Sequence, residues 1–168
     1  MKAKILENRL SRLKSVLENS TAFTPAVNLF VALDEALKMM EEEGLENIWK
    51  RHARLGKGLR AAVKAMGLKL FVQDETVASN AITAVYPPEG VSVPDIRKTL
   101  KNDYDIVVAN GQKALKDKIF RIGTLGFVCE RDAIMAVGAL EATLYKLGYK
   151  FELGSGVAAL IKTLAEEK

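Results

Sequence analysis

Apolar residues recur at helical spacing near the start of the chain, where Ile5, Leu6, Leu10, Leu13, Val16 and Leu17 are separated by charged and polar side chains. The pattern predicts a short amphipathic helix over residues 3–17, broken by the stretch NSTAFTPAV. Thr24 suits an N-cap and Pro25 the first helical position, so a long helix is expected from Pro25 to Glu43. Val27, Phe30, Leu33, Leu37 and Met40 form its inward stripe, and Gly44 suits the left-handed position that ends it. A further helix follows from the spacing of Leu45, Ile48, His52, Leu55, Leu59, Ala62 and Met66, closed by Gly67. Its opposite face carries Lys50, Arg54, Lys57, Arg60 and Lys64, which reads as a solvated basic face.

After Gly67 the period changes. LKLFV and AITAVYPP alternate as strands do, with Pro87, Pro88 and Gly90 as the turn. VPDIRKTLKNDY predicts a helix, DIVVAN and KIFRIG strands, and RDAIMAVGALEATLYKLG and GSGVAALIKTLAEE two closing helices. The order is two long helices followed by β-α-β-β-α-α. That predicts an α+β fold, with a small, mostly antiparallel sheet of three to four strands, helices packed on it and a long connecting helix in front.

Composition changes this picture little. With 168 residues, 49% of them hydrophobic and 27% charged, the chain suits one domain with an added arm. The apolar runs are too short for a bilayer span, and the polar residues among the N-terminal leucines do not suit a secretory signal, so a cytoplasmic protein is expected. One cysteine, Cys129, and one histidine, His52, exclude a disulfide framework and argue against zinc. The net charge of +4 is too mild to imply nucleic acid, and the basic helix face has no interleaved aromatic residues for base stacking.

Few residues carry candidate chemistry. There is no G-x-G-x-x-G after a strand, no phosphate-loop motif and no H-E-x-x-H. His52 lies on an apolar stripe and reads as a packed histidine. Cys129 has an acidic neighbour, Glu130, which disfavours a reactive thiolate. The GSG at Gly154–Gly156 opens a helix, where an entry loop is favoured over a phosphate cradle. Two possible anion sites remain. One is the helix start at Thr24-Pro25, whose N–H groups and dipole favour a phosphate. The other is Arg121 in KIFRIGTLGF, which is either a polar residue on an edge strand or a guanidinium presented to a carboxylate or phosphate.

Three stretches in order, FTPAVNLFVALDEALKMMEEEGLENIWKRH, SNAITAVYPPEGV and KIFRIGTLGF, closely resemble the C-terminal part of class V pyridoxal-phosphate aminotransferases of the alanine–glyoxylate and serine–pyruvate group. The resemblance runs from about Thr21 to the C-terminus. It implies an N-terminal helical arm over residues 1–20 and the family's small domain over 21–168. It also implies that Arg121, in the R-I-G motif, binds the substrate α-carboxylate. Thr24 then contacts the cofactor phosphate of a neighbouring subunit, and Thr21 stands where some relatives carry a phosphate-reaching tyrosine.

The family holds pyridoxal phosphate on a lysine of its large domain. None of the 17 lysines here sits in that context, so the cofactor is not expected to be bound covalently by this chain. The resemblance therefore implies part of an aminotransferase acting on a small amino acid and a 2-oxo acid, with its large domain on another chain or lost. It also implies a homo-oligomer, while the short apolar runs and mild charge leave membrane and nucleic acid unexpected as partners. The alternative is a non-catalytic module of the same fold that binds a small carboxylate or pairs with itself.

Overall fold

A computed structural model of the chain describes residues 2–18, 21 and 23–166. It divides into two compact units, Met1–Leu45 and Glu46–Lys168. The first holds α1 (Lys2–Leu17) and α2 (Val27–Glu43). The helix expected over 3–17 is present, with Leu10, Leu13 and Leu17 exposed.

α2 starts two residues later than its sequence suggests. Ala26, at φ −78° and ψ 68°, is the centre of an inverse γ-turn in which the Val27 N–H donates to the Pro25 carbonyl at 2.9 Å. Leu29 and Phe30 then donate to the Ala26 carbonyl, so Ala26 and not Thr24 is the N-cap, and no side chain caps the helix. The expected inward stripe is not inward. None of the residues of α2 is buried, and Val27, Phe30, Leu33, Leu37 and Met40 are all exposed.

The second unit holds all but the first residue of α3 (Leu45–Ala65) and continues through β1 (Ile82–Val85), α4 (Val93–Tyr104), β2 (Ala109–Asn110), β3 (Phe120–Gly123), α5 (Glu130–Lys146) and α6 (Ser155–Glu166). The sheet is three-stranded and antiparallel in the order β1-β3-β2, which makes an α+β fold. α4 matches its expected bounds because its signals are local. The Ser92 Oγ accepts from the Asp95 N–H at 3.2 Å, and Pro94 fits the first turn. LKLFV forms only a single bridge, Leu70↔Val85, flanked by hydrogen bonds from Phe71 to Ala84 and from Tyr86 to Lys69. Beyond it Asp74 accepts from the Thr76 N–H and hydroxyl, and this local turn ends the pairing.

DIVVAN is likewise reduced to two paired residues. Arg97 Nε takes the Val108 carbonyl at 3.0 Å, and the chain ahead of Ala109 lines an apolar cavity of about 260 Å³ together with Ile122, Thr124 and Ala133.

The core lies between the helices and one face of the sheet. α3 contributes Leu55, Leu59, Ala62 and Val63, the sheet Val85, Phe120 and Ile122, α4 Ile96 and Leu100, and the last two helices Leu140, Leu144, Leu160 and Leu164. Each such side chain contributes about 1.5–3 kcal/mol on burial. Gly67 ends α3 at φ 73°, and the Leu68 N–H returns to the Val63 carbonyl, a closure that needs a residue at ease in the left-handed region.

The basic face of α3 is not simply solvated. Arg60 is buried, with Nε donating to Glu75 at 3.1 Å and Nη1 to the Ser79 carbonyl at 3.3 Å. Lys64 also pairs with Glu75, and Arg54 pairs with Glu130. Arg54, Arg60 and Lys64 are thus held by contacts within the domain, where periodicity alone suggests solvent.

Hydrogen bonds from Lys64 and then Arg60 hold the Glu75 carboxyl below its ordinary value of 4.5. A carboxyl depressed on folding adds stability above its unfolded value, and that stability is lost as pH falls through the folded value. Wild type is therefore expected to exceed Glu75→Gln in denaturant midpoint near pH 7, with the gap closing below pH 4.5. Denaturant melts of both proteins across that range check this. A gap that does not depend on pH would contradict the pairing.

Candidate functional site

Arg121 stands on the central strand of the sheet, because β3 lies between β1 and β2. The edge-strand reading is therefore excluded. Strand alternation sends Phe120 and Ile122 into the core and leaves Arg121 and Gly123 on the opposite face. On that face the cross-strand partners of Arg121 are Ala84 on β1 and Ala109 on β2. Both partners are alanines, whose side chains offer neither charge nor acceptor.

The half-buried Arg121 is held at one nitrogen. Its Nε donates to the Asn110 carbonyl at 2.9 Å. Among the described residues no carboxylate pairs with it, and its two terminal nitrogens have no protein acceptor. A guanidinium fixed through Nε presents those two nitrogens as a planar fork, the geometry that accepts a carboxylate in two parallel hydrogen bonds. Partial burial strengthens such a pair relative to one in bulk water.

Asn110 is itself tied down. Its Nδ2 donates to Asp117 Oδ1 at 2.6 Å, and the Asp117 N–H returns to Asn110 Oδ1 at 3.0 Å. Neither residue stands out in the sequence. An Asn and an Asp at the two ends of a glycine-containing loop are the available signal, since both residue types bond to nearby backbone in turns.

The two threonines lie in the first unit and Arg121 in the second. Thr21 and Thr24 are exposed, and both precede α2. The γ-turn and the Ala26 carbonyl take up the N–H groups of Val27, Leu29 and Phe30, so this helix start has fewer free donors than its sequence suggests.

The remaining sequence candidates have structural roles. His52 Nδ1 lies 2.7 Å from the Ile48 carbonyl, one turn back on α3. Cys129 is the N-cap of α5, where its N–H donates to Asp132 Oδ2 at 2.9 Å and holds that carboxyl below the ordinary aspartate value. The start of α6 at GSG is filled by the chain's own Glu141. That buried carboxylate accepts from Gly154 at 3.0 Å, Gly156 at 2.7 Å and Val157 at 3.3 Å. No phosphate is needed there. Among the described residues, no group of three or more His, Cys, Asp or Glu is placed to hold a metal ion, and no helix is long and apolar enough to cross a membrane.

The sequence profile of the class-V aminotransferases matches residues 7–129, well over half of the chain and a span that includes Thr21, Thr24 and Arg121. The chain belongs to the class-V aminotransferase family. Within that family it is similar to the soluble hydrogenase small subunit of Synechococcus sp. (strain PCC 6716), at 52% identity over 90% of this chain and 39% of that protein. It is similar to a serine–glyoxylate aminotransferase of Arabidopsis thaliana, at 42% identity over 82% of this chain and 34% of that protein. Among solved structures, the pyridoxamine–pyruvate aminotransferase of Mesorhizobium loti superposes with a TM-score of 0.83 at 34% identity, covering 88% of this chain and 38% of that one. This class-V chain thus spans well under half the length of the relatives it matches.

Proposed function

We propose that this chain is the small-domain portion of a pyridoxal-phosphate-dependent aminotransferase that moves an amino group between a small amino acid, of alanine or serine type, and a 2-oxo acid, of glyoxylate or pyruvate type. The observation that carries the reading is Arg121, a half-buried guanidinium on the central strand with one nitrogen fixed and two without an acceptor among the described residues. Both substrates carry an α-carboxylate, and the fork binds it in either half of the reaction. Residues 21–168 are the small domain in this reading and residues 1–20 an arm, and the enzyme works in the cytoplasm.

The donor set of this chain suits anionic groups. Exposed hydroxyls at Thr21 and Thr24 fit a phosphate, and Arg121 fits a carboxylate. When bound, pyridoxal phosphate supplies an electron sink for the bond broken at the substrate Cα. Thr24 and Thr21 would hydrogen-bond the phosphate of the cofactor held by a neighbouring subunit, and Arg121 would bind and orient the substrate α-carboxylate. Orientation of this kind lowers the barrier by several kcal/mol in well-positioned reactions.

The exposed apolar residues of α2 support a partner that covers them, proposed here as the large domain together with a second subunit. Two outcomes are expected of the chain purified alone. It self-associates, and it turns over alanine and glyoxylate no faster than free pyridoxal phosphate does, because the base is missing. Sedimentation over a range of concentrations and a coupled transaminase assay check both. A sharp monomer at high concentration, or turnover that is lost on denaturing the chain, would contradict the reading.

A further inference from the structure

The loop from Asn110 to Phe120 carries two side chains in unfavourable backbone conformations and one very close approach. Lys113 lies at φ 50° and Asp117 at φ 58°, both in the left-handed region. A Cβ on Gly111 would sit 1.9 Å from the Leu115 carbonyl oxygen, so only glycine lets the loop close this tightly. Strain of this kind persists where surrounding contacts over-determine it. Here the contacts are identifiable. The two Asn110–Asp117 hydrogen bonds clasp the tip of the loop, and the Gly111 N–H donates to the Ile119 carbonyl at 2.9 Å beside them. The backbone carbonyl of the clasped Asn110 is the acceptor for Arg121 Nε.

We infer that the Asn110–Asp117 clasp is the positioning element for Arg121: it fixes the one carbonyl that orients the guanidinium and so aims the two free nitrogens off the sheet. Asn110 and Asp117 are positioning residues, because they act through Arg121 and touch no substrate. The inference rests on Arg121 as the carboxylate ligand. It adds that the ligand's orientation depends on side chains that close the hairpin loop between β2 and β3.

The structure also supplies the means of testing it. Asn110 Nδ2 donates and Asp117 Oδ1 accepts, while the Asp117 backbone N–H supplies the second bond. N110D puts two carboxylates face to face and breaks the clasp. The exchanged pair N110D/D117N restores it, because an amide at 117 donates to a carboxylate at 110 and the backbone N–H still finds its acceptor. N110A removes both side-chain bonds and leaves the backbone carbonyl in place.

The readout is the solvent-exchange rate of the Arg121 Nε–H by nitrogen-15 NMR on the full chain, with pyruvate titrated as the probe. N110A and N110D are expected to speed exchange by about fivefold, the worth of one ordinary hydrogen bond, and to weaken the pyruvate-induced shift at Arg121 by a similar factor. The exchanged pair is expected to return both to within about twofold of wild type. A merely structural role predicts lower stability for all three variants with Arg121 exchange unchanged, and that result overturns the inference. If N110A does not fold, the contrast between N110D and N110D/D117N carries the test, and equal exchange rates in the two overturn it. If the clasp variants loosen Arg121 but pyruvate leaves the Arg121 signals of wild type unmoved, it is the carboxylate reading that fails, and the positioning role falls with it.

Discussion

Arg121→Lys, in an enzyme assembled with a class-V large domain, is expected to lower kcat/KM by roughly 30- to 1000-fold while leaving the melting temperature nearly unchanged. The charge survives the substitution but the fork does not. An ammonium is a compact point charge, and its stem ends elsewhere, so it cannot donate two parallel hydrogen bonds to one carboxylate. It also loses the Nε contact to the Asn110 carbonyl that orients the guanidinium. The loss corresponds to about 2–4 kcal/mol of the carboxylate binding that the proposed role gives Arg121 in both half-reactions. Stability is expected to hold because Arg121 has no ion pair among the described residues and stands on the sheet face opposite Phe120 and Ile122. A surface arginine without function predicts normal kinetics. An arginine in a structural role predicts a lower melting temperature, with activity lost only in proportion. Measuring both quantities on one preparation separates the three outcomes.

The largest expected effect on stability lies elsewhere, at Glu141. This carboxylate is 4% exposed and accepts three backbone N–H groups from the first turn of α6 and the loop before it. Glu141→Ala removes the acceptor of all three and leaves the buried Gly156 N–H and the half-buried Val157 N–H unpaired. A cost of about 3 kcal/mol or more is expected, or a fall in melting temperature of roughly 10 °C for a chain of this size. Glu141→Gln retains one acceptor oxygen and is expected to lose about half as much. Because α6 packs on α5, the loss should reach the core residues Leu160 and Leu164, and hydrogen exchange there is the local check. An unchanged melting temperature in Glu141→Ala would mean that water replaces the carboxylate without cost.

These two residues also mark what sequence alone reveals. Arg121 stood out because a guanidinium in a β-branched run is conspicuous, and the R-I-G resemblance gave it a role. Its place on the central strand was not legible, since the order β1-β3-β2 sets the last strand between the first two, and only long-range pairing decides that. α4 was legible to the residue because Ser92 and Pro94 act within one turn. The start of α2 was not, because an inverse γ-turn at Ala26 overrode a good cap and a good first residue. The GSG stretch gave no hint of its internal carboxylate, which lies a whole helix earlier. The basic residues of α3 gave none of Glu75 or Glu130, their partners from distant segments.

The proposed role, supplying the carboxylate-binding part of a two-part aminotransferase site, has one direct test. The direct measurement is transaminase turnover, with alanine and glyoxylate, of this chain mixed with the large domain of a class-V relative, against each alone. Sedimentation is used to establish that a complex has formed. The account predicts turnover in the mixture only, collapsing when the Arg121→Lys chain replaces wild type. A complex that forms and yet turns over no faster than the large domain by itself would contradict it.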